Sequence, residues 1–214
     1  MMRQSRWWLT IYAFAFCLAA QSLPAQSPPA RIMFELESPG ESPPHYWIEL
    51  GENGDGKYQA ASSDDMPASN MTFHLQMDAT SAWFAEARAL HFFNGPFEAR
   101  RKVAFSGRKT LRYEGPDGAG KATLNYTENK QMNDMVSNFL GIALTLQLGQ
   151  RLETDARFHR IGLDVDMVAY KDSLKNHLAT HPEIIAPILQ RLVTDPEVMT
   201  RVQRDASSIL QSTQ

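Results

Sequence analysis

Between positions 100 and 127 the chain reads RRKVAFSGRKTLRYEGPDGAGKATLNYT, and side-chain parity constrains this stretch more than any other. From 100 to 114 the odd positions supply Val103, Phe105, Leu111 and Tyr113. The even ones supply Arg100, Lys102, Ser106, Arg108, Thr110, Arg112 and Glu114. Successive side chains of a strand point to opposite faces, so the pattern predicts an antiparallel sheet with one dry side and one wet side. Ser106-Gly107 is expected to be a tight turn or a bulge within it. After a loop over 115–120, KATLNYT resumes the alternation with Ala122, Leu124 and Tyr126 on one face.

The residues before this stretch read as strand and turn with one helix. Ile32, Phe34 and Leu36 share a face of a strand over 31–37. A second strand is expected over 46–50, then the turn GENGDG and a return strand over 57–61. Phe73, Leu75 and Met77 mark another strand over 72–77. A helix capped by Asp78 or Thr80 carries Trp83, Phe84, Ala87 and Leu90, and Asn94-Gly95-Pro96 ends it.

After Asn129 the apolar period changes to 3.6. Met132, Met135, Val136, Phe139, Leu140, Ala143 and Leu146 form one stripe, widened by Leu144 and Leu148, on a helix expected to reach about His159. A second helix, from Asp164 or Asp166, uses Met167, Tyr170, Leu174 and Leu178. Two short helices are expected from Pro182 and Pro196, with Asp195 capping the last. The predicted class is α+β: an antiparallel sheet over 26–128 packed by helices, and a C-terminal helical region over 129–214 on or beside it.

Arg3 and Arg6 precede a 14-residue apolar run over 7–20, which is the pattern of a signal peptide with cleavage after Ala25. The run is shorter than the ~20 residues of a membrane span, so no stable transmembrane span is expected after cleavage. Removal of residues 1–25 takes the only cysteine, Cys17, and with it any disulfide, thiolate nucleophile or cysteine-bound metal. It also takes two arginines and no acid, moving the formal charge from −3 to −5. A mildly acidic chain of this kind is not expected to bind nucleic acid. The expected location is exported, periplasmic or extracellular.

Several motifs resemble chemistry without completing it. GPDGAGKAT (115–123) matches a phosphate-binding loop through Gly115, Gly120 and Lys121, but Ala122 stands where a magnesium-holding hydroxyl belongs, and a strand follows instead of a helix. GENGDG places Asn53, Asp55 and Gly56 at positions of a calcium loop, yet Gly51 and Ser62 occupy its two carboxylate positions. His177 and His181 are four apart, but Pro182 predicts a break between them. His159 with Asp155 or Asp164 is no stronger as a metal site. No GxSxG is present, and Ser106 has no base identifiable from sequence. No cofactor and no nucleotide are therefore expected. The candidate binding surface is the basic face of the 100–114 strand: Arg100, Lys102, Arg108 and Arg112, projecting together toward a protein or an anionic envelope component. An ordinary solvated face, paired in part with Glu98 and Glu114, is the competing reading.

SGRKTLRYEGPDG, the following NYTENK, and LQLGQRLETDARFHRIGLD resemble an uncharacterised family of exported bacterial proteins sharing SGxKTLRYEG, an NYS/NYT strand, LQxGQRLE and an RxxRxGLD turn. The resemblance spans roughly residues 84–210 and implies export, with no activity to carry over. ILQRLVTDPEVMTRVQRDASSIL resembles a single HEAT-like helical pair, too few for a solenoid. The element order is similar to that of emfourin-type protease inhibitors. The leading expectation is a non-enzymatic envelope or periplasmic binding protein, acting through the basic face or the helical tail. The alternatives are an exported hydrolase with a site assembled from distant segments, or an emfourin-like inhibitor.

Overall fold

The computed structural model describes residues 29–63 and 67–212, and the expected signal peptide lies outside the described residues. Alternating sequence becomes six strands: β1 (Arg31–Glu37), β2 (His45–Gly51), β3 (Asp55–Ala60), β4 (Ser69–His74), β5 (Arg108–Gly115) and β6 (Gly118–Leu124). They form one sheet in the order β4-β3-β2-β1-β5-β6, and every neighbouring pair is antiparallel. Among the described residues there are five α-helices: α1 (Met77–Ala89), α2 (Lys130–Phe158), α3 (Leu163–Lys175), α4 (Ala186–Thr194) and α5 (Thr200–Ser212). The class is α+β, as the pattern predicted.

Register sets the two faces of the sheet. Ile32 lies between Leu50 and Tyr113, and Phe34 between Ile48 and Leu111. All six are fully buried beneath the helices. On α2, Phe139 stacks on Phe34 with ring centroids 5.3 Å apart and planes 7° from parallel, and meets the edge of Trp83 from α1 at 5.2 Å. Such pairs add to the area the rings already bury. Gln147 donates to the Tyr58 hydroxyl at 3.0 Å, a polar tie between α2 and β3. Burial pushes the Tyr58 pKa up to about 12.

The helical region packs on its own chain. Leu163, Met167 and Tyr170 of α3 and Val202, Ala206 and Ile209 of α5 join the same buried cluster as the sheet residues. The Thr145 hydroxyl donates to the Thr180 carbonyl at 2.6 Å, which docks the 176–181 connection on α2. A 3-10 turn over Pro182–Ile185 leads into α4. His177 and His181 lie in this connection with φ of +57° and +55°, not on one helix.

The structure corrects several expected boundaries. Residues 100–107 are not a strand, and Val103 and Phe105 are exposed, the latter 65 %. The last pair of the β1–β5 ladder is Glu37 with Arg108, because β1 then turns away at Ser38 and offers no further partner. Gly107 (φ +95°) redirects the chain at that point. Buried at that parity is Lys109, whose ammonium donates to the carbonyls of Ser106, Gly107 and Asn125.

The expected loop over 115–120 shortens to the two residues between Gly115 and Gly118, so the near phosphate loop is a hairpin turn followed by strand. Tyr126 lies beyond β6, half-buried, with the Arg101 guanidinium 5.1 Å from its ring. The helix expected at Asp78 or Thr80 begins at Met77, with no side-chain cap. The last helix begins at Thr200, four residues after Pro196, and Asp195 instead accepts from the Glu197 amide.

A candidate binding groove on the open face of the sheet

Since the helices cover one face, the opposite parity of all six strands forms an open face. β1 contributes Arg31, Met33, Glu35 and Glu37, and β2 contributes His45, Trp47 and Glu49. β3 adds Asp55, Lys57 and Gln59, and β4 adds Asn70, Thr72 and His74. From β5 come Arg108, Thr110, Arg112 and Glu114. The face is a mosaic of both charge signs rather than a basic patch.

Of the four cations expected to project together, only Arg108 and Arg112 lie on this face. Arg100 and Lys102 sit in the irregular 100–107 segment, so the strand that was to align them does not exist there. Arg108 pairs with Glu37, its cross-strand neighbour, and Arg112 lies 3.5 Å from Glu114. The anionic surface expected to meet four free cations would meet two that already hold carboxylates.

Two depressions lie on the open face. The larger, about 1060 Å³, sits at the end where β2 turns into β3. Arg31, Glu49, Lys57, Thr72, His74 and Glu114 line it, together with Gly51 and Gly56. Gly56 has a specific reason to be glycine: the Phe73 ring covers the position where a Cβ would stand, 2.2 Å away. The smaller depression, about 470 Å³, lies beside His45, Trp47, Gln59 and Asn70.

Arg31 organises the larger groove. Its guanidinium donates twice to Glu114, at 2.5 and 3.0 Å, and lies 3.6 Å from Glu49. Hydrogen bonding from Arg31 holds the Glu114 carboxyl below its usual range, against the opposing cost of burial. Lys57 has no ion pair among the described residues, although Glu49 is its cross-strand neighbour. His74 Nδ1 lies 3.0 Å from Asp55, and Asn53 donates to the same carboxylate at 2.7 Å.

These contacts bear on chemistry directly. A histidine–carboxylate pair stands in the groove, but among the described residues no hydroxyl hydrogen-bonds to His74, and the pair is exposed. Ser106 does have a basic neighbour, since Lys109 Nζ lies 3.0 Å from its oxygen. Burial lowers the pKa of that amine, against the attraction of Glu98. Three carbonyl acceptors around it each call for an N–H, and so favour the ammonium, which has no lone pair to accept a proton. Among the described residues, Glu35, Glu37 and His45, whose ligand atoms lie within 4.8 Å of one another, are those that could hold a metal, although Arg108 already pairs with Glu37.

Arg31, Lys57, Thr72 and His74 were visible as polar positions in alternating strands. Their convergence was not visible, because it depends on the order in which four strands pair.

Among the described residues no helix is long and apolar enough to cross a membrane. No family model matches the chain, and comparison with curated proteins finds no match.

Proposed function

We propose that the chain is an exported, non-enzymatic binding protein whose open sheet face receives a protein partner. The observation that carries this reading is the groove of about 1060 Å³ on the uncovered face, where Lys57 stands without an ion pair among the described residues. Interspersed charges of both signs suit a polypeptide surface better than a polyanion, since a polyanion would meet Glu49, Asp55 and Glu114 as well as Arg31 and Lys57. Export rests on Arg3, Arg6 and the apolar run over 7–20.

The test is a photo-crosslinking amino acid placed at Lys57, and separately at Gln190 on α4, in cells that export the chain. A discrete adduct from position 57 and none from position 190 is the expected outcome. Equal labelling, or none, would remove the groove as the contact surface. Mass spectrometry of the exported chain checks processing, with Gln26 as the expected first residue.

The Asp55–His74 contact supports a second reading, an exported hydrolase. Ester or peptide hydrolysis that disappears in His74→Ala with the fold intact would favour it over binding alone.

A further inference from the structure

β4 and β6 are the two edges of the sheet, and the chain treats them differently. Beside β6 the backbone of 92–106 runs close. The Asn94 side chain donates to the Ala119 carbonyl at 2.9 Å, and the Phe92 carbonyl lies 2.2 Å from the Cβ position of Gly120. Just beyond the strand, the Ala99 amide donates to the Tyr126 carbonyl at 2.9 Å, and the Asn125 amide donates to Glu98. β6 also carries a lysine, Lys121.

β4 has none of this. Among the described residues, no backbone group of Ser69–His74 hydrogen-bonds outside the β3 ladder. The 3-10 turn over Pro182–Ile185 packs near the strand without bonding its backbone. SNMTFH contains no proline, no lysine and no carboxylate, and so lacks the usual devices that keep an edge from pairing.

We propose that β4 is a dimerisation edge, on which β4 of a second copy pairs antiparallel about a two-fold axis at Thr72. Antiparallel partners lie on the same face of a sheet. To keep both helical layers on one side, the paired residues must therefore share parity. An axis through Thr72 satisfies this, setting Thr72 against Thr72 of the partner subunit, Met71 against the partner's Phe73, and Asn70 against the partner's His74. Thr–Thr and apolar–aromatic pairs are favourable across strands, and self-pairing brings no like charges together because β4 has no lysine, arginine or carboxylate. A closed two-fold pair also uses up the edge, whereas an open one would invite further strands. Thr72, Phe73 and His74 line the groove, so the grooves of the two copies would meet at the axis. The proposal does not depend on the binding reading, because its readout is mass and cross-linking alone.

The experiment uses single cysteines in a Cys17→Ser background, Cys17 being the only native cysteine. Opposed residues on antiparallel strands lie about 4.5–5.5 Å apart, within disulfide reach. Thr72→Cys is therefore expected to give a disulfide-linked dimer on mild oxidation. Asn70→Cys is expected to stay single, because its copies would be roughly 13 Å apart along the strands. Sedimentation of the unmodified chain should report twice the mass of one processed chain, and Met71→Lys should return it to one chain with unchanged circular dichroism. A single-chain mass at every concentration with no Thr72→Cys dimer would overturn the proposal. So would equal cross-linking at both positions. A co-purified chain of different mass bound to a monomer would assign the edge to a foreign strand, and overturn it too.

Discussion

The Lys109 ammonium donates to the Asn125 carbonyl at 2.9 Å, at the strand parity where Leu111 and Tyr113 are buried. A charged group thus occupies a core position and joins β5 to the chain leaving β6. It also holds the carbonyls of Ser106 and Gly107, at 2.9 and 3.2 Å. Lys109→Met keeps the length of the side chain and removes every one of these bonds. The expected cost is about 2–4 kcal/mol, from carbonyls left without a donor. Urea denaturation measures it, and hydrogen exchange should find residues 100–107 less protected than in the parent chain.

Phe139 touches both the sheet and α1, stacked on Phe34 and against the edge of Trp83. Phe139→Ala is expected to cost about 3–5 kcal/mol, as deletion of a buried ring usually does. A single cooperative transition should persist, because the sheet and the helices share one buried cluster. Two separated transitions in calorimetry would contradict that shared core.

Gly141 lies inside α2, where alanine would ordinarily add up to about 1 kcal/mol of helix stability. Here a Cβ would stand 2.5 Å from the Thr180 hydroxyl oxygen and 3.1 Å from the Thr180 Cβ. Gly141→Ala is therefore expected to destabilise by about 1–3 kcal/mol through overpacking. Adding Thr180→Ala should recover part of the loss, and a double-mutant cycle in urea gives the coupling.

Burial pushes the Asp166 carboxyl above its ordinary value; Arg151, 3.7 Å away, pulls it back, and Asp155 pushes it further up. The folded chain therefore binds this proton more tightly than the unfolded chain. The group gains stability as pH falls through its raised folded value and holds that gain below the unfolded value. Asp166→Asn lacks the titration. The parent should gain stability relative to Asp166→Asn as pH falls from 7 toward 4, measured as the difference in unfolding free energy. A parent that loses stability relative to Asp166→Asn on acidification would count against the raised value.

The α+β class, the strands β1 to β3 and the long α2 were legible because each buries a face whose period matches its backbone; the strand expected over 72–77 is instead β4 (Ser69–His74), and Met77 is exposed at the start of α1. Asn129 was legible as the start of α2, and its side chain accepts from the Met132 amide. The candidate site was less legible. Parity at 100–107 was real in the sequence, yet a strand also needs a neighbour, and β1 ends its ladder at Glu37. The four-cation surface failed for that reason, since its alignment assumed eight more residues of strand than β1 could pair.

What the sequence determined by itself was local: which residues prefer strand or helix, and which side of each is apolar. Only the tertiary structure decided which polar sides would face one another. Arg31 and Glu114 are 83 positions apart, and they meet because β5 pairs with β1. Lys57, Thr72 and His74 join them because β3 and β4 follow on the other side of β2. Side-chain periodicity carries no information about strand order, because hydrogen bonds between backbones are the same whichever strand supplies them. The groove and the position of β4 at an edge follow from that order.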